Sequence, residues 1–351
     1  MPTCPNSVKK ILHAAAMAAI LMLAFTVKSM AENEGGKGAA AGAYDERAAQ
    51  NVVWEEKLRR QVEFLCDSIC AGRGTGTRGG TEAAFLITRN FRKAGLLAPG
   101  GSYAKSFYTA DSLRIGHNII GILPGSRKKP KDSYIIVGAH YDHLGVLDGR
   151  MFPGADNNAS GVAALMSLVD MFSSMKTLGR AWSSNIIFVA FDGKELSMSG
   201  AESLWKMLGD STLVDPLNGK AITRDKIRLM VNIDQIGSSL SPLASGREDF
   251  IIMLGGESLS KEAMNSLSFC NRFYGPRLEI SESYYGSETF TRLFYRLSDQ
   301  RPFVDNKVPA VLFTSGITLN NNKTYDTPGT LNYPVMRRRI ILIYQWLDIL
   351  L

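Results

Sequence analysis

The residues able to do chemistry fall in four short segments. His140, Asp142 and His143 stand in Gly138-Ala139-His140-Tyr141-Asp142-His143. Asp156, Asn157 and Asn158 stand between Gly154 and Gly161. Lys194 and Glu195 follow Phe191-Asp192-Gly193, and Asp234 closes Leu229-Met230-Val231-Asn232-Ile233. Imidazole and carboxylate groups are the usual oxygen and nitrogen ligands of a hydrolytic zinc ion. A lysine beside such ligands is out of place, because it adds positive charge where a metal needs negative charge.

The elements that must position these residues are legible. His140 follows the apolar run 134–139, Lys194-Glu195 follows 185–191, and Asp234 follows 229–233. Short continuous apolar runs are expected of strands covered on both faces. In open α/β sheets, ligands bind beyond the carboxyl ends of the strands. Three strands thus deliver His140, Glu195 and Asp234 to one edge. Further strands are predicted over 118–123 and 310–313. Helices are predicted over about 46–68, 82–94, 161–172 and 202–208. The alternation predicts one α/β domain, a three-layer sandwich with a mixed, mostly parallel central sheet flanked by helices.

The chain has 351 residues, 45% of them hydrophobic, enough for a sizeable core. Lys9 and Lys10 precede the apolar run 11–27, and Ser29-Met30-Ala31 offers small residues before a cut. This pattern predicts a signal peptide over 1–31, with a retained membrane anchor as the rival reading. Export to the periplasm or the extracellular space follows, with no stable membrane insertion once the signal is gone. Residues 32–44 read as a Gly/Ala-rich tether and 45–351 as the domain. Losing residues 1–31 lowers the net charge from +7 to +4, too mild to argue for nucleic acid. Arg127-Lys128-Lys129-Pro130-Lys131 reads as a solvated loop, and Arg337-Arg338-Arg339 as the exposed face of the last helix. Cys66, Cys70 and Cys270 have no metal-binding spacing and read as buried thiols.

Together these segments resemble the secreted zinc aminopeptidases of metallopeptidase clan MH, a family that also includes glutaminyl cyclases. The likeness begins near Ala71-Gly72-Arg73-Gly74 and runs through the four segments to Ser298-Asp299-Gln300 and the stretch 316–333. In that family two zinc ions share a bridging Asp. One is also held by a His and an Asp, the other by a Glu and a His, and a second Glu takes a proton from the bridging water. The resemblance implies that His140 and Asp234 are ligands of one metal, that Glu195 is a ligand of the other, and that Asp142 orients His140. His143 is a neighbour that need not bind metal. Asp156, the first Asp of the family's pair, is a further ligand candidate. A cis peptide is implied at Asn157–Asn158.

Three positions depart from the family pattern. Asn157 stands for the bridging Asp, Lys194 for the general-base Glu, and Asn322, in Asn322-Lys323-Thr324-Tyr325-Asp326-Thr327, for the late His. Gln300 stands where a His is frequent. The chain's four histidines are His13, His117, His140 and His143, so no histidine can supply the late ligand. The expectation is one weakly held zinc at most, or none, with the Lys194 ammonium substituting for metal charge and pairing with Glu195 or Asp234. An exported aminopeptidase-like protein with impaired two-zinc catalysis is the leading expectation. A catalytically inactive relative that binds a peptide or a partner protein in the same cleft is the alternative. A glutaminyl cyclase ranks last, because two of its three zinc ligands would be Asn157 and Asn322. A serine hydrolase lacks its G-x-S-x-G motif. The oligomeric state is left open.

Overall fold

The computed structural model describes residues 48–126, 132–239, 248–274 and 276–351. The signal, the tether and the basic run at 127–131 lie outside the described residues. Those described belong to one compact unit, Asp45–Leu351. In chain order its helices are α1 (Glu55–Cys66), α2 (Arg78–Lys93), α3 (Gly161–Thr177), α4 (Ser199–Gly209), α5 (Lys261–Phe269), α6 (Glu288–Tyr295), α7 (Arg301–Asp305) and α8 (Tyr333–Leu350). Its strands are β1 (Ala104–Tyr108), β2 (Ile115–Leu123), β3 (Tyr134–His140), β4 (Val146–Leu147), β5 (Arg150–Met151), β6 (Asn185–Phe191), β7 (Ile227–Ile233), β8 (Phe250–Leu254), β9 (Glu279–Ser281) and β10 (Ala310–Thr314).

Eight strands form one sheet in the order β1-β2-β6-β3-β7-β10-β8-β9. The central four, β6, β3, β7 and β10, are parallel, while β2 and β8 run antiparallel to their inner neighbours. Every residue of β3 and β6 is buried. This is why their sequences read as unbroken apolar runs. Helices α1, α2, α3 and α8 pack on one face, and α4 and α7 on the other. Helix α3 is central to its layer, with 12 of its 17 residues buried. Phe172 on α3 touches Phe188 of β6 and Tyr344 of α8, with ring centroids at 6.2 and 4.6 Å. The three-layer sandwich expected from the sequence is the observed fold.

Several boundaries differ from expectation. The predicted 46–68 helix breaks into a 3₁₀ turn, Ala48–Asn51, and α1. Trp54 takes an extended conformation between them, with φ −128°. Helix α2 begins four residues earlier than its apolar periodicity suggests. Thr77 caps it by accepting from the Gly80 amide at 3.2 Å, so Gly79-Gly80 is helix and not loop. Arg339 is a correction of another kind. It was expected on an exposed face but is fully buried. Its guanidinium donates to the carbonyls of Phe250, Ile236 and Ser238 at 2.6–2.8 Å, which offsets the cost of desolvating its charge. Cys66, Cys70 and Cys270 are all buried. Burial pushes the Cys66 thiol up to about 12, against a smaller opposing effect of Arg73, so it is a poor nucleophile.

Gly138 shows how strand packing constrains the site-bearing sequence. A Cβ there would lie 2.4 Å from Cε2 of Phe191 on the neighbouring strand. Replacing Gly138 with Ala must push this ring aside in a filled core. Thermal or urea unfolding of Gly138→Ala should show a loss of about 1–3 kcal/mol. Unchanged stability would mean that the ring has room that the packing denies it.

Candidate active-site cleft

The parallel strands put their carboxyl ends on one edge. His140 ends β3, Asp234 follows β7, and the turn carrying Lys194-Glu195 follows β6. The loop after β10 brings Asn321 and Asn322 to the same edge. The Asn157–Asn158 peptide is cis, the geometry that the resemblance implies.

His140 is fully buried between two carboxylate residues. Its Nε2 lies 3.2 Å from Asp234 Oδ1. Its Nδ1 lies 3.1 Å from the Asp142 main-chain oxygen and 3.6 Å from that residue's Oδ1. Burial alone would favour the neutral ring, but the Asp234 charge and the bonds to Asp142 and Asp234 raise it to about 10. His140 thus sits between an acceptor on each side, and both favour its charged form. Asp234, despite its burial, is held far below the carboxylate range by His140 and Lys194, and it accepts from Ser298 Oγ at 2.5 Å. Asp142 accepts the main-chain N–H groups of Lys194 and Glu195, each at 3.0 Å. It thus ties the lysine turn to the histidine strand.

The Lys194 ammonium lies 3.1 Å from Glu195 Oε1. Burial works against its charge, but Asp234 and Glu195 outweigh burial and hold its pKa above the lysine value. Asn157 Nδ2 faces three oxygens: Glu195 Oε1 at 3.4 Å, Asn321 Oδ1 at 3.1 Å and Asn322 Oδ1 at 2.9 Å. Gln235 Nε2 also donates to Asn321 Oδ1, at 3.0 Å. Asn157 Oδ1 is buried without a hydrogen-bond partner. His143 is buried with neither ring nitrogen hydrogen-bonded, and its Nδ1 is 3.9 Å from Glu195 Oε1. Burial and the nearby cations keep it neutral.

Asp156 bonds elsewhere through one oxygen, while its Oδ2 is buried without a partner. Its Oδ1 accepts from the Gly237 amide at 2.8 Å and from Ser160 Oγ at 3.1 Å. Burial, and then the neighbouring Asp326, push its carboxyl up to about 7. Gln300 serves structure: its Oε1 accepts from Asn232 Nδ2 at 2.8 Å, and its Nε2 donates to the Tyr295 carbonyl. Asp299 is fully buried, and burial raises it to about 7.

Sequence reasoning passed over the groups that hold the loops in place. Arg73 is fully buried and donates to the carbonyls of Tyr141, Leu65, Pro153 and Gly154 at 2.6–2.8 Å. Asp326 accepts the amides of Asp156 and Asn157 at 2.9 and 3.1 Å. Asn158 donates to the carbonyls of His140 and Ile233, at 3.2 and 3.0 Å, and joins β3 to β7 beneath the site. Gly154, at φ +57°, lets the loop pass close to His143; a Cβ there would lie 2.5 Å from the ring's Cδ2. The sequence signal for Asp326 was its place in the late Asn322–Thr327 motif; for the others it was membership of the glycine- and asparagine-rich segments.

The profile of peptidase family M28 matches residues 118–345. The chain belongs to that family. A probable zinc metalloprotease of Pyrenophora tritici-repentis is 25% identical over 311 residues, covering 77% of this chain and 67% of that protein. A second, from Pyrenophora teres f. teres, is 26% identical, covering 53% of this chain and 38% of its own length. Among solved structures, the Macrostomum lignano glutaminyl cyclase superposes with a TM-score of 0.63 at 17% identity, covering 90% of this chain and 96% of that one. At such identity the likeness is one of fold.

The donors present do not fit the two-zinc group that the resemblance implies. A ligand between two dications must offer electron pairs on both sides. Asn157 instead presents its N–H₂ to the Glu195, Asn321 and Asn322 oxygens. The Lys194 ammonium already pairs with Glu195 Oε1 at 3.1 Å. Among the described residues no three His, Cys, Asp or Glu side chains are placed to hold a metal.

The loop geometry makes a direct prediction. Arg73→Lys keeps the charge but loses the planar fork that reaches four carbonyls. It should cost about 2–4 kcal/mol in denaturant unfolding. Unfolding at the wild-type midpoint would show that the fork is dispensable.

Proposed function

We propose that this M28-family protein is exported and has lost or reduced two-zinc catalysis, and that its cleft engages a peptide or a segment of a partner protein. The observation that carries the reading is the Lys194 ammonium, 3.1 Å from Glu195 and held in its charged form by Glu195 and Asp234. It supplies from within the chain the positive charge that the cluster of Asp142, Asp234 and Glu195 would otherwise draw from metal. Lys194 and Glu195 keep 15% and 19% of their side-chain surface open to solvent. A donor and an acceptor are therefore partly open to solvent, with the Asn321 and Asn322 amides beside them. A peptide main chain offers the complementary carbonyls and N–H groups.

A second reading has one specific observation behind it. The unpartnered Asn157 Oδ1, His140 and Asp234 are the donors that the chain would offer to a single zinc ion, with His140 neutral on the metal side. Such a site would hold metal weakly, because one of its three donors is a neutral amide.

Elemental analysis of the purified protein tests the proposal. One zinc ion or fewer per chain is expected, with little release of N-terminal residues from aminoacyl-nitroanilides. Lys194→Glu alone should leave activity low, because the bridging carboxylate and the late histidine are still missing. The triple change Asn157→Asp, Lys194→Glu, Asn322→His should raise zinc toward two per chain. Two tightly held ions and robust aminopeptidase activity in the unmutated protein would refute the reading.

Export is tested separately. N-terminal sequencing of protein recovered outside the cytoplasm should begin at Glu32. A chain that retains residues 1–31 would favour the anchor.

A further inference from the structure

Helix α1 carries three cations, and two of them are paired. Lys57 Nζ lies 2.6 Å from Asp170, and Arg60 Nε lies 3.8 Å from Glu56. Among the described residues Arg59 forms no ion pair, not even with Glu63 one turn on, and no hydrogen bond. Its guanidinium carbon instead lies 4.3 Å from the centroid of the Tyr333 ring, at the start of α8. Tyr333 is 2% exposed, and its hydroxyl donates to the Pro328 carbonyl at 3.0 Å. The guanidinium is thus set against a fixed ring with its planar fork of N–H groups unused.

Arg59 lines a cavity of about 440 Å³, a size that holds small ligands. Ser239, Asn320, Thr330 and Asn332 supply the other polar groups of its wall. Thr330 Oγ1 donates to the Thr327 carbonyl at 2.8 Å, and Asn332 Nδ2 donates to Ser239 Oγ at 3.3 Å. The Ser239 hydroxyl proton and the Asn320 N–H₂ have no acceptor among the described residues. No carboxylate stands among the described residues of the wall. One cation with unused donors beside it is the recognition chemistry of a carboxylate.

The cavity adjoins the cleft through the loops after β7 and β10. Asn320 directly precedes Asn321 and Asn322, whose oxygens accept from Asn157 Nδ2 at 3.1 and 2.9 Å. The same Nδ2 lies 3.4 Å from Glu195 Oε1. Leu331, also in the wall, packs on Gly237, three residues beyond Asp234; a Cβ at Gly237 would lie 3.0 Å from the leucine methyls. Asn320 and Asn322 are two Cα steps apart, at most about 7.6 Å, which an extended peptide covers in two or three residues at about 3.3 Å each.

We infer that this cavity is a carboxylate subsite of the cleft, in which Arg59 receives a carboxylate of the bound peptide, either its C-terminus or an Asp or Glu side chain. The inference rests on the peptide-binding reading of the cleft. Arg59 binds the carboxylate through its fork, and Ser239 and Asn320 donate to the oxygens that remain.

The test is calorimetric binding of alanine peptides of three to six residues to the purified protein, each peptide as the C-terminal acid and as the amide. At the best length the acid should bind about tenfold tighter than the amide. An amide-capped peptide of that length ending in Glu identifies the source. Binding like the acid shows that a side-chain carboxylate serves, and binding like the plain amide shows that the subsite reads the C-terminus alone. Arg59→Gln should bring the acid down to the level of the amide, whose own affinity stays unchanged. Arg59→Lys should restore only part of the preference, because the charge returns without the fork. Arg59 is exposed, so these variants leave the core intact, which circular dichroism checks. Should Arg59→Gln unfold, Ser239→Ala in the same wall should lower the preference. Acid and amide that bind the wild type alike overturn the subsite and leave the peptide reading standing. So does a preference that survives Arg59→Gln in folded protein, since the carboxylate would then be read elsewhere. A wild type that binds none of the peptides overturns the peptide reading, and the subsite with it.

Discussion

Everything at the carboxyl edge of the sheet depends on how buried negative charge is neutralised. Asp142 and Asp234 are buried, with Glu195 half-buried beside them. Such a cluster is stable only beside matching cations. In this chain two cationic groups are covalent parts of the protein: the Lys194 ammonium and the His140 ring, whose charged form its neighbours favour. Burial disfavours both charges, but the nearby carboxylates reverse its effect. The site is thus balanced by its own side chains, and the amides of Asn157, Asn321, Asn322 and Gln235 fill the space around them with neutral hydrogen bonds.

The scaffold beneath the site is that of the M28 family, and it is held by interactions indifferent to metal. Asp142 binds the main chain of the Lys194-Glu195 turn, Asn158 joins the ends of β3 and β7, and Asp326 holds the amides around the cis peptide. Arg73 gathers four carbonyls from three segments. Each of these groups satisfies main-chain atoms, which must be paired when buried whether or not a ligand binds. The loops at this edge are therefore held without a ligand.

The two halves of the site diverge along a line that runs through Asn157. Its N–H₂ side faces the cluster of Glu195, Asn321 and Asn322, beside the Lys194–Glu195 ion pair. Its oxygen side faces away without a partner. Asn157, Lys194 and Asn322 thus form one connected group: Lys194 pairs with Glu195, and the Asn157 amide donates to Asn322 and faces Glu195.

The sequence by itself determined the sheet's buried strands, the edge to which His140, Glu195 and Asp234 are delivered, and the absence of a late histidine. Those properties are local: apolar runs of strand length, and residue identity. It misplaced Arg339, whose burial depends on three carbonyls from other segments. It offered Asp156 as a ligand candidate, whereas the fold bonds one oxygen of that carboxylate to Gly237 and Ser160. It could not show that Arg73 and Asn158 hold the loops, or that His143 is buried with both nitrogens unpaired. Only tertiary structure decided these points. The direction of a buried polar side chain is set by whichever main-chain groups the fold leaves unpaired nearby, and those groups come from segments distant in sequence.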